Sequence, residues 1–123
     1  MLINLSNHPA EKWQEKQKQL AREKYGIVQD LSFPAVPPEA THAQVQEMAK
    51  ELFEKIVAVF DECANEPLPI AVHIQGEFTL VFALVTLLKS SGISCIASTS
   101  NRNVSDDGAK KIIIFEFVQF REY

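Results

Sequence analysis

Short apolar runs alternate along the chain with longer stretches in which apolar residues keep helical spacing. The runs at 2–5, 27–31, 70–74, 93–97 and 111–120 are typical of strands. The stretches at about 9–25, 42–63 and 78–90 are typical of helices. Because strands and helices alternate, the pattern predicts a three-layer Rossmann-like α/β sandwich with about five strands, mostly parallel.

Turn and cap residues support these boundaries. Gly26 follows the first helix where a left-handed cap belongs, and Thr41 precedes the second helix as an N-cap. The sequence Asp106-Asp107-Gly108 is typical of a tight turn between two strands. The last strand is therefore expected to be antiparallel to its neighbour.

The third predicted helix is apolar on nearly every side. One face of a sheet cannot bury all of its large side chains, which are Leu80, Val81, Phe82, Leu84, Val85, Leu87 and Leu88. The excess apolar surface predicts a homodimer, and further assembly around a ligand remains an open alternative.

Length, charge and cysteine content narrow the class of protein. A chain of 123 residues with 46% hydrophobic content is expected to form a single domain over 1–123. The net charge of −4 disfavours DNA, long RNA and anionic membranes as partners. No signal peptide or long apolar span is apparent, and Cys63 and Cys95 lack a paired spacing. We therefore expect a cytoplasmic protein with reduced thiols.

Polar segments follow the predicted strands, and in an open parallel sheet ligands bind at the carboxyl ends of the strands. These segments are Ser6-Asn7-His8, Ser32-Phe33, Gln75-Gly76-Glu77 and the predicted loop Ser98-Thr99-Ser100-Asn101-Arg102. Amides, hydroxyls, a histidine and an arginine suit phosphate and nucleobase binding. The sequence predicts one ligand site built from these segments.

The segment ending in Arg102 can hold a phosphodiester, with Ser98 and Thr99 donating to its oxygens and the guanidinium pairing with them. An ordinary polar loop before a hairpin is an equally good interpretation. His8 can serve as a general acid or contact a base, and a plain helix-start residue is the alternative.

Gly76 can let a ligand approach the backbone, and Glu77 can accept from a ribose hydroxyl or a base. For Glu77 the alternative is a carboxylate that complements the helix dipole. His73 lies inside an apolar strand, a position that favours a hydrogen-bonded core histidine over a catalyst.

Several signatures are absent from the sequence. It contains no glycine-rich dinucleotide fingerprint, no P-loop, no nucleophile elbow and no histidine and carboxylate spacing typical of metal sites. No cofactor and no metal are expected.

Taken in order, the segments INLSNHP, DLSFPAV, VHIQGE, CIASTSNR and FEFVQFREY resemble a family of small CRISPR-associated proteins encoded beside type III systems. The resemblance implies a fold akin to cyclic-oligoadenylate sensor (CARF) domains and a role in binding or cleaving cyclic tetra-adenylate. It implies site residues at matching positions, namely Ser6, Asn7, His8, Gly76, Glu77, Ser98, Thr99, Asn101 and Arg102. Gln75 and Gln119 depart from the family pattern, which has an apolar residue and often a second arginine there.

Four hypotheses follow for the function. The first is a cyclic tetra-adenylate binder that dampens signalling by sequestration. The second is a metal-independent ring nuclease, in which a ribose 2′-hydroxyl attacks its neighbouring phosphate, His8 protonates the leaving oxygen and Arg102 stabilises the charge. The third is a protein-interaction subunit without a nucleotide ligand, and the fourth is a small mononucleotide-binding enzyme.

Overall fold

Five strands and three α-helices make up the described chain, which in this computed structural model comprises residues 1–65 and 67–123. The strands are β1 (Leu2–Ser6), β2 (Val28–Ser32), β3 (Ala71–Ile74), β4 (Ser94–Asp106) and β5 (Lys111–Glu122). The helices are α1 (Glu15–Tyr25), α2 (His42–Glu62) and α3 (Phe78–Ser90), and a 3₁₀ turn (Ala10–Lys12) precedes α1.

The strands form one sheet in the order β2-β1-β3-β4-β5. The first four strands are parallel, and β5 runs antiparallel to β4. This confirms the predicted α/β fold with a mostly parallel sheet and an antiparallel last pair. Because parallel strands point the same way, β1, β2 and β3 end at the same edge of the sheet.

Two cores lie on the two faces of the sheet, as period-two alternation along buried strands requires. On one face Ile3, Leu5 and Ile74 pack beneath α2 and α3. On the other face Leu2 and Ile96 belong to a smaller core with aromatic and small side chains of the α1 layer. This second face, which α1 covers only in part, carries the candidate site.

The predicted caps are confirmed. Thr41 and Gln44 form a capping box in which each side chain bonds the other residue's backbone N–H. Gly26 ends α1 with a positive φ of 77°, which glycine adopts without strain, and its N–H bonds the Arg22 carbonyl. Cys63 and Cys95 are both free, and burial raises the pKa of the Cys95 thiol to about 11.

The first helix begins later than predicted. After the 3₁₀ turn, Trp13 and Gln14 are extended, and α1 starts only at Glu15. The reason is that Trp13 turns inward: its indole is buried and donates from Nε1 to the His8 carbonyl at 3.1 Å.

The fourth strand is much longer than predicted, and the prediction of a loop at 98–102 was wrong. β4 continues to Asp106 and pairs with β5 along its length, with a bulge between Thr99 and Ser100. Thr99 favours a strand, but Asn101 does not, and the segment lacks an apolar alternation. Here the apolar partner strand supplies the pairing that the sequence of 98–102 does not indicate.

Within the described residues, no helix is both long enough and apolar enough to cross a bilayer.

Candidate functional site

A cleft of about 190 Å³ opens on the α1 face of the sheet, beside the carboxyl ends of the strands. Its walls come from α1 and the turn before it, from β3 and the residue after it, and from both strands of the hairpin. The lining residues are His8, Trp13, Gln14, Gln17, His73, Gln75, Ser98, Thr99, Ser100, Phe115 and Phe117. Residues of three predicted segments, His8, Gln75, Ser98 and Thr99, thus meet at one cleft.

A chain of hydrogen bonds crosses the sheet beneath this cleft, with Asn4 and His73 buried at its centre. Asn4 on β1 stands opposite both Asp30 on β2 and His73 on β3 in the strand register. Its Nδ2 donates to Asp30 Oδ1 at 2.7 Å, and its Oδ1 lies 2.8 Å from His73 Nδ1. On the other side of the ring, His73 Nε2 lies 2.8 Å from Ser98 Oγ on β4. Four adjacent strands are therefore linked by polar side chains.

His73 is the buried centre of this chain. Its side chain is only 1% exposed, and both ring nitrogens have hydrogen-bond partners. This confirms the interpretation of a hydrogen-bonded core histidine. Burial lowers the pKa of His73 to about 4, so the ring is neutral at pH 7. Trp13 packs edge-on against it, with ring centroids 5.2 Å apart.

The residues of the predicted segment Ser6-Asn7-His8 differ in position: Ser6 joins the hydrogen-bond chain, and His8 lines the cleft. Ser6 is buried, and its hydroxyl donates to Asn4 Oδ1 at 2.9 Å. His8 is exposed and lines the cleft, while its backbone carbonyl accepts from Asn4 Nδ2 at 2.9 Å. Asn7 is exposed and is not among the residues that line the cleft.

The segment after β3, Gln75-Gly76-Glu77, makes most of its contacts with other residues of the protein. Gln75 lines the cleft and donates from Nε2 to the Ser98 carbonyl at 3.3 Å. The Phe33 ring covers Gly76, so that a Cβ added there would lie 2.5 Å from the ring. The absence of a side chain at Gly76 therefore makes room for Phe33, and the ring occupies the space that the sequence assigned to a ligand.

Glu77 caps α3, as the helix-dipole alternative predicted. Its carboxylate accepts from the N–H groups of Thr79 and Leu80 and from the Thr79 hydroxyl. These hydrogen bonds, the one from the Thr79 side chain first, lower the pKa of Glu77. A carboxylate engaged in this way has less capacity to accept from a ligand.

The two hydroxyls expected to donate to phosphate have their hydrogens engaged inside the protein. Ser98 is paired with the acceptor nitrogen of His73, and Thr99 Oγ1 donates to the Gln119 carbonyl at 3.2 Å. In this conformation neither hydroxyl is available as a phosphate donor.

Because successive side chains along a strand point to opposite faces, the residues after Thr99 alternate between the two faces of the β4–β5 hairpin. Arg102 stands opposite Phe115, which lines the cleft, so both share the cleft side of the hairpin. Asn101, one residue earlier, points to the other face. Arg102 is exposed, makes no hydrogen bond or ion pair to the described residues, and lies on the rim outward from Ser98.

Six lining residues were not predicted as site residues from the sequence: Trp13, Gln14, Gln17, His73, Phe115 and Phe117. Trp13 and Gln17 are four residues apart, so both would share one face of the helix predicted at 9–25, and this was the available signal, although Trp13 precedes α1 in the structure. Nothing local distinguishes Gln14, Phe115 or Phe117, because they reach the cleft only through the pairing of the hairpin with α1.

Comparison with protein families gives a match over almost the whole chain. A family model described as "Uncharacterized protein MJ1673 family" matches residues 1–121. The chain belongs to this family. Comparisons with curated proteins and with solved structures gave no match.

The chemistry of the cleft in this MJ1673 family member is neutral and aromatic. Among the described residues that line it, there is no lysine, arginine or carboxylate. No cluster of three or more metal-binding side chains occurs in the part of the chain that the structure describes. Aromatic walls with amide and hydroxyl edges suit a nucleobase.

Proposed function

We propose that this protein binds cyclic tetra-adenylate, the second messenger of type III CRISPR defence, and dampens signalling by sequestering it. The observation that carries the proposal is the cleft beside the strand ends, in which His8, Gln75 and Ser98 meet between aromatic side chains. The order of the five sequence segments that resemble the CRISPR-associated family gives independent support.

The cleft has the size of one part of such a ligand. Pockets that enclose a whole drug-sized molecule have volumes of about 300–1,000 Å³. At about 190 Å³, this cleft fits one base, and the remaining sugar and phosphate groups extend along the rim toward Arg102.

Sequestration fits this geometry better than cleavage. A ring nuclease must stabilise the extra negative charge of the phosphorane, normally with cations or free hydrogen-bond donors. The hydroxyl hydrogens of Ser98 and Thr99 are already engaged, and the arginine lies on the rim. A metal-independent ring nuclease stays the alternative because His8 lines the cleft, where it can protonate a leaving oxygen.

A homodimer completes the proposal. A cyclic ligand with repeated bases has more than one base to hold, and two copies related by a two-fold axis supply two equivalent clefts. The first turns of α3 lie at the carboxyl-end edge of the sheet, on the face opposite the cleft, and their exposed Phe78 and Phe82 supply apolar surface for an interface at that edge.

The test is incubation of the purified protein with cyclic tetra-adenylate, followed by calorimetry for binding and chromatography of the nucleotide. Unchanged ligand with tight binding is the expected result. Arg102→Ala is expected to weaken binding by about 10-fold, as loss of one charge-assisted contact does. Arg121→Ala is the matched control, because Arg121 stands opposite Ala97 on the other face of the same hairpin.

Linear products that disappear in His8→Ala would favour the ring nuclease. No binding of cyclic oligoadenylates of several ring sizes would contradict both nucleotide functions.

A protein-interaction subunit is favoured by a separate observation. An apolar groove of about 530 Å³ lies between the start of α2 and α3, and Phe78 and Phe82 border it with exposures of 89% and 76%. Co-purification of a stoichiometric protein partner, combined with absence of nucleotide binding, would support this function instead.

A further inference from the structure

In the hydrogen-bond chain beneath the cleft, the donor and the acceptor of each bond can be assigned, starting from the side-chain amide of Asn4. Its Nδ2 has two partners, Asp30 Oδ1 at 2.7 Å and the His8 carbonyl at 2.9 Å. A carbonyl oxygen only accepts hydrogen bonds, and so does an ionised carboxylate. The amide nitrogen of Asn4 must therefore face them, and its oxygen must face His73.

The orientation of Asn4 fixes the tautomer of His73. Since Asn4 Oδ1 can only accept, His73 Nδ1 must carry a hydrogen to make the 2.8 Å contact. The buried ring is neutral at pH 7, so Nε2 has a lone pair and no hydrogen. Ser98 Oγ, 2.8 Å from Nε2, must then donate its single hydrogen to His73.

The state of Ser98 at the cleft follows from this. Its oxygen also accepts a hydrogen bond from Gln17 Nε2 at 3.0 Å. A hydroxyl has one hydrogen and two lone pairs, so one lone pair is left and no hydrogen. Ser98 is half-buried and lines the cleft, where it presents an acceptor and nothing else.

We propose that Ser98 is the specificity-determining residue of the cleft, and that its oxygen accepts a hydrogen bond from the exocyclic amine of an adenine base. Asn4 and His73 are positioning residues that keep the serine hydrogen away from the ligand. A base with a carbonyl at the same position, such as hypoxanthine, brings two acceptors together and is rejected. This inference rests on the proposed function and extends it to the recognition of the base.

The experiment compares matched adenine and hypoxanthine ligands. Two pairs are titrated: cyclic tetra-adenylate against cyclic tetra-inosinate by calorimetry, and AMP against IMP by NMR. The adenine member of the cyclic pair is expected to bind about 10- to 100-fold more tightly, the range for a base-edge contact. The mononucleotide pair is expected to show the same preference at lower affinity.

Variants separate recognition from folding. Ser98→Ala is expected to remove the preference for adenine, while Ser98→Thr keeps the hydroxyl and is expected to retain it. Ser105→Ala, an exposed serine further along the same strand, is the matched control and should behave as wild type. Circular dichroism checks that each variant is folded.

His73→Leu tests the positioning role. Without Nε2 as an acceptor, the Ser98 hydroxyl can rotate its hydrogen toward the cleft and meet a carbonyl. The ratio of inosine to adenine affinity is then expected to rise, which loss of packing alone would not cause.

Each outcome has a distinct meaning. Adenine preference that Ser98→Ala abolishes supports the inference. Binding of both members of a pair with equal affinity, or an adenine preference that survives in Ser98→Ala, overturns this inference and leaves the proposed function standing. If neither pair binds, both are overturned.

Discussion

His73 combines nearly complete burial with two hydrogen bonds of fixed direction, and this makes its charge state a determinant of stability. A protonated ring would lose the Nε2 acceptor that Ser98 uses and would place a charge in the core. Protonation is thus costly in the folded state and easy in the unfolded chain. Stability should depend on pH through this one residue.

We predict that the free energy of unfolding decreases by about 3 kcal/mol as the pH falls from 7 to 4, because of His73. The pKa of His73 is lowered from 6.5 to about 4 by burial, so between these values the unfolded chain binds the proton and the folded chain does not. The contribution is complete above pH 6.5 and is lost as the pH falls toward 4. Urea denaturation across this range measures it.

His73→Gln removes the titrating group, and its stability is expected to fall less steeply with acidification than that of the wild type. His42→Gln, at an exposed position, is the control and should keep the wild-type slope. Equal slopes for His73→Gln and the wild type would contradict the role assigned to this residue.

Gly76→Ala is predicted to destabilise the fold by about 1–3 kcal/mol, because the new methyl group would lie 2.5 Å from the Phe33 ring. Combining it with Phe33→Val removes the ring and should recover part of the loss relative to the sum of the single changes. Denaturant titrations of the four proteins give the coupling. Strict additivity would mean that Phe33 is not the reason for the glycine.

Among the elements, the β4–β5 hairpin differs most from the rest of the sheet, since its outer half extends with most side chains exposed. Gln14, just before α1, holds this hairpin against the domain. Its Nε2 donates to the Phe115 carbonyl at 2.6 Å, and its Oε1 accepts from the Phe117 N–H at 2.8 Å. One side-chain amide thus bonds the backbone of β5 as a neighbouring strand would.

Gln14→Ala is predicted to loosen the hairpin at Phe117 and to leave the parallel sheet intact. Amide hydrogen exchange at Phe117 should accelerate by about 5-fold, because one net hydrogen bond is worth about 1 kcal/mol. Exchange at Ile3 and Val72 should not change. Gln19→Ala is the control, since Gln19 bonds only Glu23 on its own helix. Unchanged exchange at Phe117 in Gln14→Ala would contradict the role of the amide.

For the whole molecule, the main observation is how much apolar surface remains uncovered in one copy. Phe78 and Phe82 on α3 are exposed, and so are Ile112, Ile113, Ile114 and Phe115 on the hairpin. Phe78 and Phe82 lie one helical turn apart and border the same groove, so they form one exposed apolar patch, and such patches mark interaction sites. This matches the excess apolar surface expected from the sequence of α3, and it supports the proposed homodimer.

Phe82→Ser is predicted to weaken self-association by about 10-fold or more, as loss of a buried aromatic side chain does at an interface. Analytical ultracentrifugation from 1 to 100 μM, about the range of a moderate dimer, measures the change. Ile27→Ser is the control, because Ile27 is exposed on a different part of the surface. A wild-type protein that stays monomeric over this range would contradict the dimer.

Local sequence patterns determined the alternation of strands and helices, the caps at Gly26 and Thr41, the hairpin turn, and thereby the α/β fold with an antiparallel last pair. These features depend on neighbouring residues alone, through side-chain periodicity and backbone preference. Pairing across the sheet decided the rest. The strand at 98–102 exists because β5 lies beside it. The contacts among Asn4, His73 and Ser98 exist because the strand register places Asn4 opposite His73 and places Ser98 two residues beyond Ile96, the β4 partner of His73; no single segment specifies this register.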